Sequence, residues 1–483
     1  MTLNNHRIIP LVSLATATYL CLVALHVERS SAAAQTDHPL NVLLIVADDL
    51  NTSLGCYGNP VVHTPNIDRL AARGVRFERA YVQAPLCNPS RASFLSGLRP
   101  DTTGVFDLKT PTRTNLKDHV FLPQRFRNSG YYTAMIGKIY HTGERFEDPA
   151  SWDLEIRESG KDPNPEDAIA AFDAKGLPWK TDHSWKWAKL RTTDSETPDG
   201  QVALRAVDII EKTRPVAKPF FLSVGFRRPH SPYAVPAGYF DRYPTAAMRL
   251  QNEPPGHVSS IPRLALTYDP AHPVPPERAR ELIGAYYASI TFVDAQVGLI
   301  LAALDRNQLW ENTIVVFMGD HGYHLGEHGG MWHKQSLFEE SVRAPLIIVG
   351  PGIKANGISP RPVEFLNLYP TLAKLTGLST PRGLQGVSMV PLLKDPRAPW
   401  DHPAFSQIDR GAIRGRTVRT ERWRYTEWGN GESGKQLYDH SADAGEFVNL
   451  ADDPRHAATV ARLSKLLKKS ATAPAKNAQQ GKL

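Results

Sequence analysis

Five short, unbroken apolar runs constrain this chain more than any other feature. "LNVLLIVA" (40–47), "YYTAMIGK" (131–138), "PFFLSVGF" (219–226), "NTIVVFMG" (312–319) and "APLIIVG" (344–350) are apolar at successive positions rather than alternate ones. A strand wet on one face alternates, so runs of this kind belong to a sheet covered on both faces, where parallel strands are found. Helix patterns lie between them. "TPNIDRLAARG" offers a Thr64 cap, Pro65 at the first helical position and Gly74 as a stop. Between Glu277 and Gln308, the residues Leu282, Tyr286, Ile290, Val293, Val297, Ile300 and Leu304 recur at spacings of three and four. The alternation predicts an α/β fold, a large mainly parallel sheet sandwiched by helices, with ligands beyond the carboxyl ends of the strands. Asp48-Asp49, Gly137-Lys138, Arg228-Pro229-His230 and Asp320-His321 each fall just past one of the runs.

At 483 residues the chain exceeds what one core organises, which predicts a second, smaller lobe. The proline-rich "APWDHPAF" (398–405) marks the boundary. Beyond it "RTVRTERWRYTEW" alternates like exposed β-structure, and "ATVARLSKLLKK" is a short amphipathic helix. The expected organisation is a leader (1–34), a main domain (35–397) and a C-terminal α+β subdomain with an antiparallel sheet (398–483). Segments 143–200 and 252–276 carry little periodicity and are expected as long loops roofing the strand ends. The last dozen residues are expected to fray.

The leader has Arg7, an apolar run over 8–27 and small residues ending in Ala32-Ala33-Ala34 before Gln35, the pattern of a cleaved signal peptide. An uncleaved anchor is the rival reading. Cys21 lacks the context of a lipid-anchored cysteine, and no later stretch reads as a span. A secreted or periplasmic protein follows, with no membrane association after cleavage. With 41% hydrophobic and 22% charged residues, the composition is that of a globular protein, not a disordered or membrane-embedded one. The formal charge of +7, reduced by one on loss of Arg7, Arg29 and Glu28, suits a polyanionic substrate and equally suits simple solubility. No nucleic-acid partner is expected.

Asp48-Asp49 could be a solvated turn. With Asp320-His321 at a second strand end, however, three carboxylates would converge and repel unless a cation lay among them, and oxygen ligands favour calcium or magnesium over zinc. Two cysteines remain after cleavage, Cys56 and Cys87, for which a disulfide or two inert thiols is the default in an exported protein. In "CNPSRASFLSG" Cys87 opens a helix, with Pro89 in the first turn and Phe94 and Leu95 on the buried side. That position suits an anion or a thiolate, or a small buried residue at a cap. His324-Leu325-Gly326-Glu327-His328 matches a zinc-protease spacing, but Gly322, Gly326, Gly329 and Gly330 disfavour the helix it needs. Those histidines would then line the pocket mouth or pack the loop. Asn51-Thr52-Ser53 is a glycosylation acceptor by pattern, in a position expected to lie inside the cleft.

Cys87-x-Pro89-Ser90-Arg91 followed by "ASFLSGLRP" resembles the signature of the type I sulfatases. Also similar, in order, are "NVLLIVADDL", "TPNIDRLAARGVRFERAY", "GKIYHTGE", "RRPHSPY", "GDHGYHLGEHG" and "LYDHSADAGEFVNLADDP". His321, "MWHKQSLFE", "SLGCYG" and "PDTTGVFD" resemble the iduronate-2-sulfatase branch. The resemblance implies an alkaline-phosphatase-like fold, and it implies that a separate formylglycine-generating enzyme oxidises Cys87, so that Cys56 has no disulfide partner. It implies a Ca2+ site, with Mg2+ as the alternative, formed by Asp48, Asp49, Asp320, His321 and the modified Cys87. One hydroxyl of the hydrated aldehyde would attack sulfur and the second would let the adduct collapse. Arg91 would pin that diol, Lys138 would bind sulfate and His141 would take a proton from the diol. His230 and Lys334 would hold the sulfate and protonate the departing oxygen. The implied substrate is a sulfated sugar, a 2-O-sulfated uronic acid of a polysaccharide, with Arg227 and Arg228 as candidates for binding its carboxylate. Other readings are a sulfatase for choline sulfate or another sulfated polysaccharide, a phosphohydrolase of the wider superfamily, and a non-catalytic sulfated-glycan-binding homologue without formylglycine.

Overall fold

The computed structural model describes residues 1–2, 39–157, 168–173, 186–268 and 274–472. Residues 3–34 of the expected leader and 473–483 of the tail expected to fray lie outside the described residues. Eight strands form the central sheet: β1 (Asn41–Asp48), β2 (Val75–Tyr81), β3 (Tyr132–Gly137), β4 (Leu154–Ile156), β5 (Phe220–Pro229), β6 (Thr313–Gly319), β7 (Leu346–Val349) and β8 (Gly357–Glu364). Their order is β8-β2-β7-β6-β1-β5-β3-β4, and only β7 runs antiparallel to its neighbours. The mainly parallel sheet expected from the apolar runs is present. β2 and β8 were not legible as strands, because Arg76, Glu78 and Arg79 interrupt one and Pro360 and Pro362 the other.

Strand β1 is central and buried throughout. Its alternate side chains serve two separate cores: Leu43, Ile45 and Ala47 on one face, Val42, Leu44 and Val46 on the other. The first core takes helix α1 (Pro65–Ala72), α3 (Pro198–Asp208) and the 31-residue α4 (Pro276–Arg306). The second takes α2 (Cys87–Ser96) and α5 (Leu368–Leu375). α4 is long and apolar enough to cross a membrane by composition, contrary to the expectation that no later stretch would be, but 72% of its apolar window is buried in the core. The register of β1 on β5 shifts between Ala47 and Asp48, so that Asp48 pairs with Pro229. Two glycines allow close passage at this edge. A Cβ on Gly319 would come within 2.3 Å of the Leu50 carbonyl oxygen, and one on Gly225 within 2.0 Å of that of Lys138.

Segment 143–200 is more structured than expected. It supplies edge strand β4, and Ala168–Asp173 and Lys186–Leu190 form a small sheet with Tyr233–Pro236. Beyond residue 403, β9 (Ala404–Arg410), β10 (Ile413–Arg419), β11 (Trp423–Trp428) and β12 (Lys435–Asp439) make an antiparallel sheet, covered by α6 (Ala457–Thr472) through Leu463 and Leu467. Here the expectation of exposed β-structure fails: every residue of β11 is buried. Arg424 is inside because it meets Glu339 of the main body and Glu446. Charge read as surface is instead the seam between the two layers, and the chain from Pro39 onward forms one compact unit.

Candidate active site

The parallel strands deliver their carboxyl ends to one edge. β1 ends on Asp48-Asp49, β3 leads to Lys138 and His141, β5 to His230, and β6 to Asp320-His321. α2 presents its first residue, Cys87, to the same point. There the Cys87 Sγ lies 3.3 Å from His321 Nε2, 3.4 Å from Lys334 Nζ and 3.9 Å from Asp49 Oδ1. Lys334 arrives from a hairpin, His324–Leu325 pairing with Trp332–His333, and its neighbours His333 (φ 67°) and Gln335 (φ 73°) are both left-handed. Non-glycine residues are rarely held so, and the loop is fixed by Gln335 N donating to the Pro85 carbonyl at 3.1 Å.

Asp48, Asp49, Cys87 and His321 place ligand atoms within 4.8 Å of one another, all buried. Asp320 joins them: its Oδ1 is 3.6 Å from His321 Nε2 and accepts from Asp49 N at 2.9 Å. His321 Nδ1 faces the Gly322 carbonyl at 2.9 Å, leaving Nε2 for the cluster. Asp49 is itself left-handed (φ 62°).

Burial would raise the Asp48 carboxyl, but Lys138, His230, Arg91 and Lys334 hold it well below the usual range. Against its own burial, Asp49 is lowered by His230, Lys334 and His321. Asp320 stays raised, by burial and by the charge of Asp48, despite His321 and Arg91. The protein's own cations therefore do not fully compensate the third carboxylate, and this donor set of carboxylates and one imidazole fits a hard divalent cation. The helix N-terminus does not favour a thiolate here. Burial, with Asp48 and Asp320 adding to it, pushes the Cys87 thiol far up, beyond what Lys334 and Lys138 recover. An unmodified Cys87 is a poor nucleophile in this setting.

Of the residues expected at the site, Asp48, Asp49, Cys87, Lys138, His230, Asp320, His321 and Lys334 converge. Lys138 Nζ pairs with Asp48, Lys334 Nζ with Asp49, and His230 Nε2 lies 3.9 Å from Asp49 Oδ2. His141 follows Lys138 with its ring edge-on to Phe146, its Nδ1 buried without a hydrogen-bond partner. Burial and the charges of Lys138 and Arg91 lower it to about 3. Arg91 is fully buried and turned to the carboxylates rather than to Cys87. Its Nη2 donates to Asp48 and its Nε to Asp320, both at 3.0 Å, and Nη1 donates to the Lys138 and Ile139 carbonyls.

Arg228 leaves the list of candidates for a substrate carboxylate. Its Nε donates to the Ala234 carbonyl at 3.0 Å and the residue is 4% exposed. The zinc-protease spacing is empty of helix: His328 (φ 54°) and Gly329 (φ 77°) break the backbone between Glu327 and Gly330. His324 bonds Ser336, and His328 stacks on Phe338 and faces Glu340, so both pack the loop. Asn51 is spent internally, donating to the Tyr323 carbonyl and accepting from Ser53 N. Cys56 and Cys87 are both free thiols. Sequence reasoning missed Tyr286 as a site residue. Its only signal was a tyrosine in the apolar stripe of α4, yet its hydroxyl donates to the Asp49 carbonyl at 2.7 Å.

An eight-stranded sheet with a buried nucleophile position and a carboxylate cluster at its carboxyl edge defines a hydrolase of the alkaline-phosphatase-like class. The family model named Sulfatase matches residues 40–378, and that for the C-terminal region of N-sulphoglucosamine sulphohydrolase matches residues 326–473. The chain belongs to the sulfatase family and is a sulfuric ester hydrolase. It is 32% identical to mouse (Mus musculus) iduronate 2-sulfatase over 88% of this chain and 92% of the relative. It is 31% identical to the choline-sulfatase of Rhizobium meliloti, over 86% and 83%. A solved 2-O GAG sulfatase superposes with a TM-score of 0.72 at 26% identity, covering 90% of this chain and 92% of that one.

Proposed function

We propose that the protein removes the 2-O-sulfate from a uronic acid of a sulfated polysaccharide or its oligosaccharides, after export and conversion of Cys87 to formylglycine. The observation that carries this reading is the convergence of Lys138, His230 and Lys334 on the buried carboxylates beside Cys87, with Lys334 Nζ 3.4 Å from its Sγ. The 2-O specificity is supported by the likeness to an iduronate 2-sulfatase and to a 2-O GAG sulfatase.

In this reading Asp48, Asp49, Asp320 and His321, with the residue derived from Cys87, hold calcium, with magnesium as the alternative. A bound divalent ion would supply Lewis acidity to an oxygen at residue 87. Hydrated formylglycine would supply two hydroxyls on one carbon, one to bond sulfur and one to release it. The remaining chemistry belongs to side chains already in place. Lys138 and Lys334, buried beside Cys87, supply the positive charge that binds sulfate oxygens and offsets charge developing on them. His141, neutral across the working range, is ready to accept a proton. His230, lowered to about 4 by burial against the pull of Asp49, starts neutral; the negative charge of an arriving sulfate ester favours its protonated form, and it then serves the leaving oxygen. Arg91 fixes Asp48 and Asp320 so that the cluster is pre-formed.

The test is sulfate release from a panel: a 2-O-sulfated uronate disaccharide, a neutral sulfated sugar and choline sulfate. The uronate should show the highest kcat/KM. Equal rates on the neutral sugar would remove the uronate specificity, and preference for choline sulfate, supported by the 31% identical choline-sulfatase, would replace it. The mass of the native-host peptide spanning Cys87 and the N-terminal residue of the mature protein, expected at Gln35, test the modification and the export.

A further inference from the structure

A cavity separate from the site around Cys87 lies beyond the β8 edge of the sheet. A cavity of about 890 Å³ opens between Arg361-Pro362 of β8, the 399–403 segment, the β10–β11 turn and one face of α6. That volume is within the range of small-molecule sites, about 300–1,000 Å³. β8 stands four strand positions from β1, roughly 19 Å at about 4.8 Å per strand, and none of the lining residues belongs to the site around Cys87.

The walls carry more cations than carboxylates: Arg361, Arg422, Arg462, Lys465 and Lys469 against Asp401 and Glu421. Arg462, Lys465 and Lys469 follow one another at helical spacing along α6, while Leu463 and Leu467 turn to the sheet on its other side. Arg361 and Arg422 face them, each already paired, with Glu421 and Asp439. Arg462 and Lys465 are exposed and have no carboxylate partner among the described residues. The opposite wall carries Trp400, held rigidly by Nε1 donating to the Pro362 carbonyl at 2.8 Å and by the edge-on ring of His402.

We propose that this groove binds a sulfated segment of the polymer substrate, outside the catalytic cleft; the choice of ligand rests on the functional reading above. A sulfated sugar chain combines what the groove offers to each part of it. Its sulfate oxygens take charge-assisted hydrogen bonds from unpaired cations, and its ring C–H faces lie on a fixed indole. Holding the polymer at a second point raises the local concentration of sulfate esters at the cleft without changing the chemistry there. An anionic membrane would use the cations but not the fixed indole face, whereas a nucleic acid would use both and is separated by the binding comparison below.

The experiment compares the full protein with an Arg462→Gln/Lys465→Gln double variant and with Trp400→Ala. Calorimetry measures binding of a sulfated oligosaccharide, its desulfated counterpart, single-stranded DNA of matched charge and anionic vesicles; kcat/KM is measured on a sulfated monosaccharide. Expected are at least about tenfold weaker binding of the sulfated oligosaccharide in both variants, through lost charge-assisted hydrogen bonds in the double variant and lost ring-face contact in Trp400→Ala, and unchanged kcat/KM on the small substrate. Unchanged affinity in both variants overturns the proposal, as does binding of the DNA or of the vesicles as tight as that of the sulfated oligosaccharide. If small sulfate esters are not turned over at all, the functional reading falls, while the binding comparison still decides the groove.

Discussion

Tyr286 of α4 donates its hydroxyl to the Asp49 carbonyl oxygen at 2.7 Å and accepts from Asn51 N at 3.0 Å, bridging the two backbone groups on either side of Leu50. Asp49 holds a left-handed conformation that costs an L-residue energy, and a rigid buried phenol from the longest helix of the core is what keeps it there. Tyr286→Phe keeps the ring, stacked on Tyr323, but leaves a buried carbonyl and a buried N–H without their partner. The expected loss is roughly 1–3 kcal/mol of stability, with weaker calcium binding. Thermal melts with and without calcium check both, and an unchanged calcium affinity would limit Tyr286 to packing.

Arg91 is the only cation that reaches both Asp48 and Asp320 among the described hydrogen bonds. Arg91→Met leaves the buried Asp320 without its cation and Asp48 with Lys138 alone, and should cost about 3–5 kcal/mol. Arg91→Lys restores the charge but not the two-pronged geometry, so it should recover only part of that loss. Denaturant midpoints measured in excess calcium rank the three proteins.

Removal of divalent ions should lower the melting temperature, because Asp320 remains raised by burial and by Asp48 when only protein groups surround it. Adding calcium at about a hundred times its dissociation constant should return about 2.7 kcal/mol. A melt indifferent to both chelator and calcium would show that the carboxylate cluster holds no ion.

Imidazole ionisation should be absent from His141 between about pH 5 and 8, where an ordinary histidine titrates. Its folded pKa, about 3, lies below that of the unfolded chain, because burial, Lys138 and Arg91 all disfavour the imidazolium. The unfolded state therefore binds the proton first, and this group's contribution to stability is present above about 6.5 and lost as pH falls toward 3. NMR of labelled histidine checks the titration. His141→Gln should lower kcat by about 10²–10⁴ if it is the base.

Acid should loosen the seam between the C-terminal sheet and the body. Glu339 takes Tyr81 OH at 2.8 Å and Arg424, and Glu446 takes Arg424, His440 at 2.7 Å and the Glu339 N–H at 2.9 Å. Burial would raise both carboxyls, but Arg424, with Arg419 and His440, holds them below their usual value. Depressed carboxyls stabilise the fold above the unfolded value of about 4.3, and that stability disappears as pH falls through the folded values. Fluorescence of Trp423 and Trp428, both in β11, should report a transition on the acid side that Glu446→Gln alters.

The parallel core was legible because β1 and β6 bury every residue and β5 every residue but Arg227, so that sequence and environment agree nearly position by position. β2 and β8 were not, since charged residues and prolines are tolerated where neighbouring layers supply partners, as when Arg99 pairs with Glu364 at the end of β8. β11 misled for the same reason: Arg424 is a surface residue by type and a core residue by partnership.

What the sequence determined by itself was local: where apolar runs end, which residues follow those ends, and that Cys87 opens a helix. Because parallel strands all deliver their carboxyl ends to one edge, this was enough to gather the carboxylates, lysines and histidines at one place. Only the tertiary structure decided where each side chain points. Arg91 serves Asp48 and Asp320 instead of Cys87, Arg228 spends itself on backbone carbonyls, and Tyr286 reaches Asp49 across 237 residues. Hydrogen-bond direction depends on packing between distant elements, and no pattern along the chain encodes it.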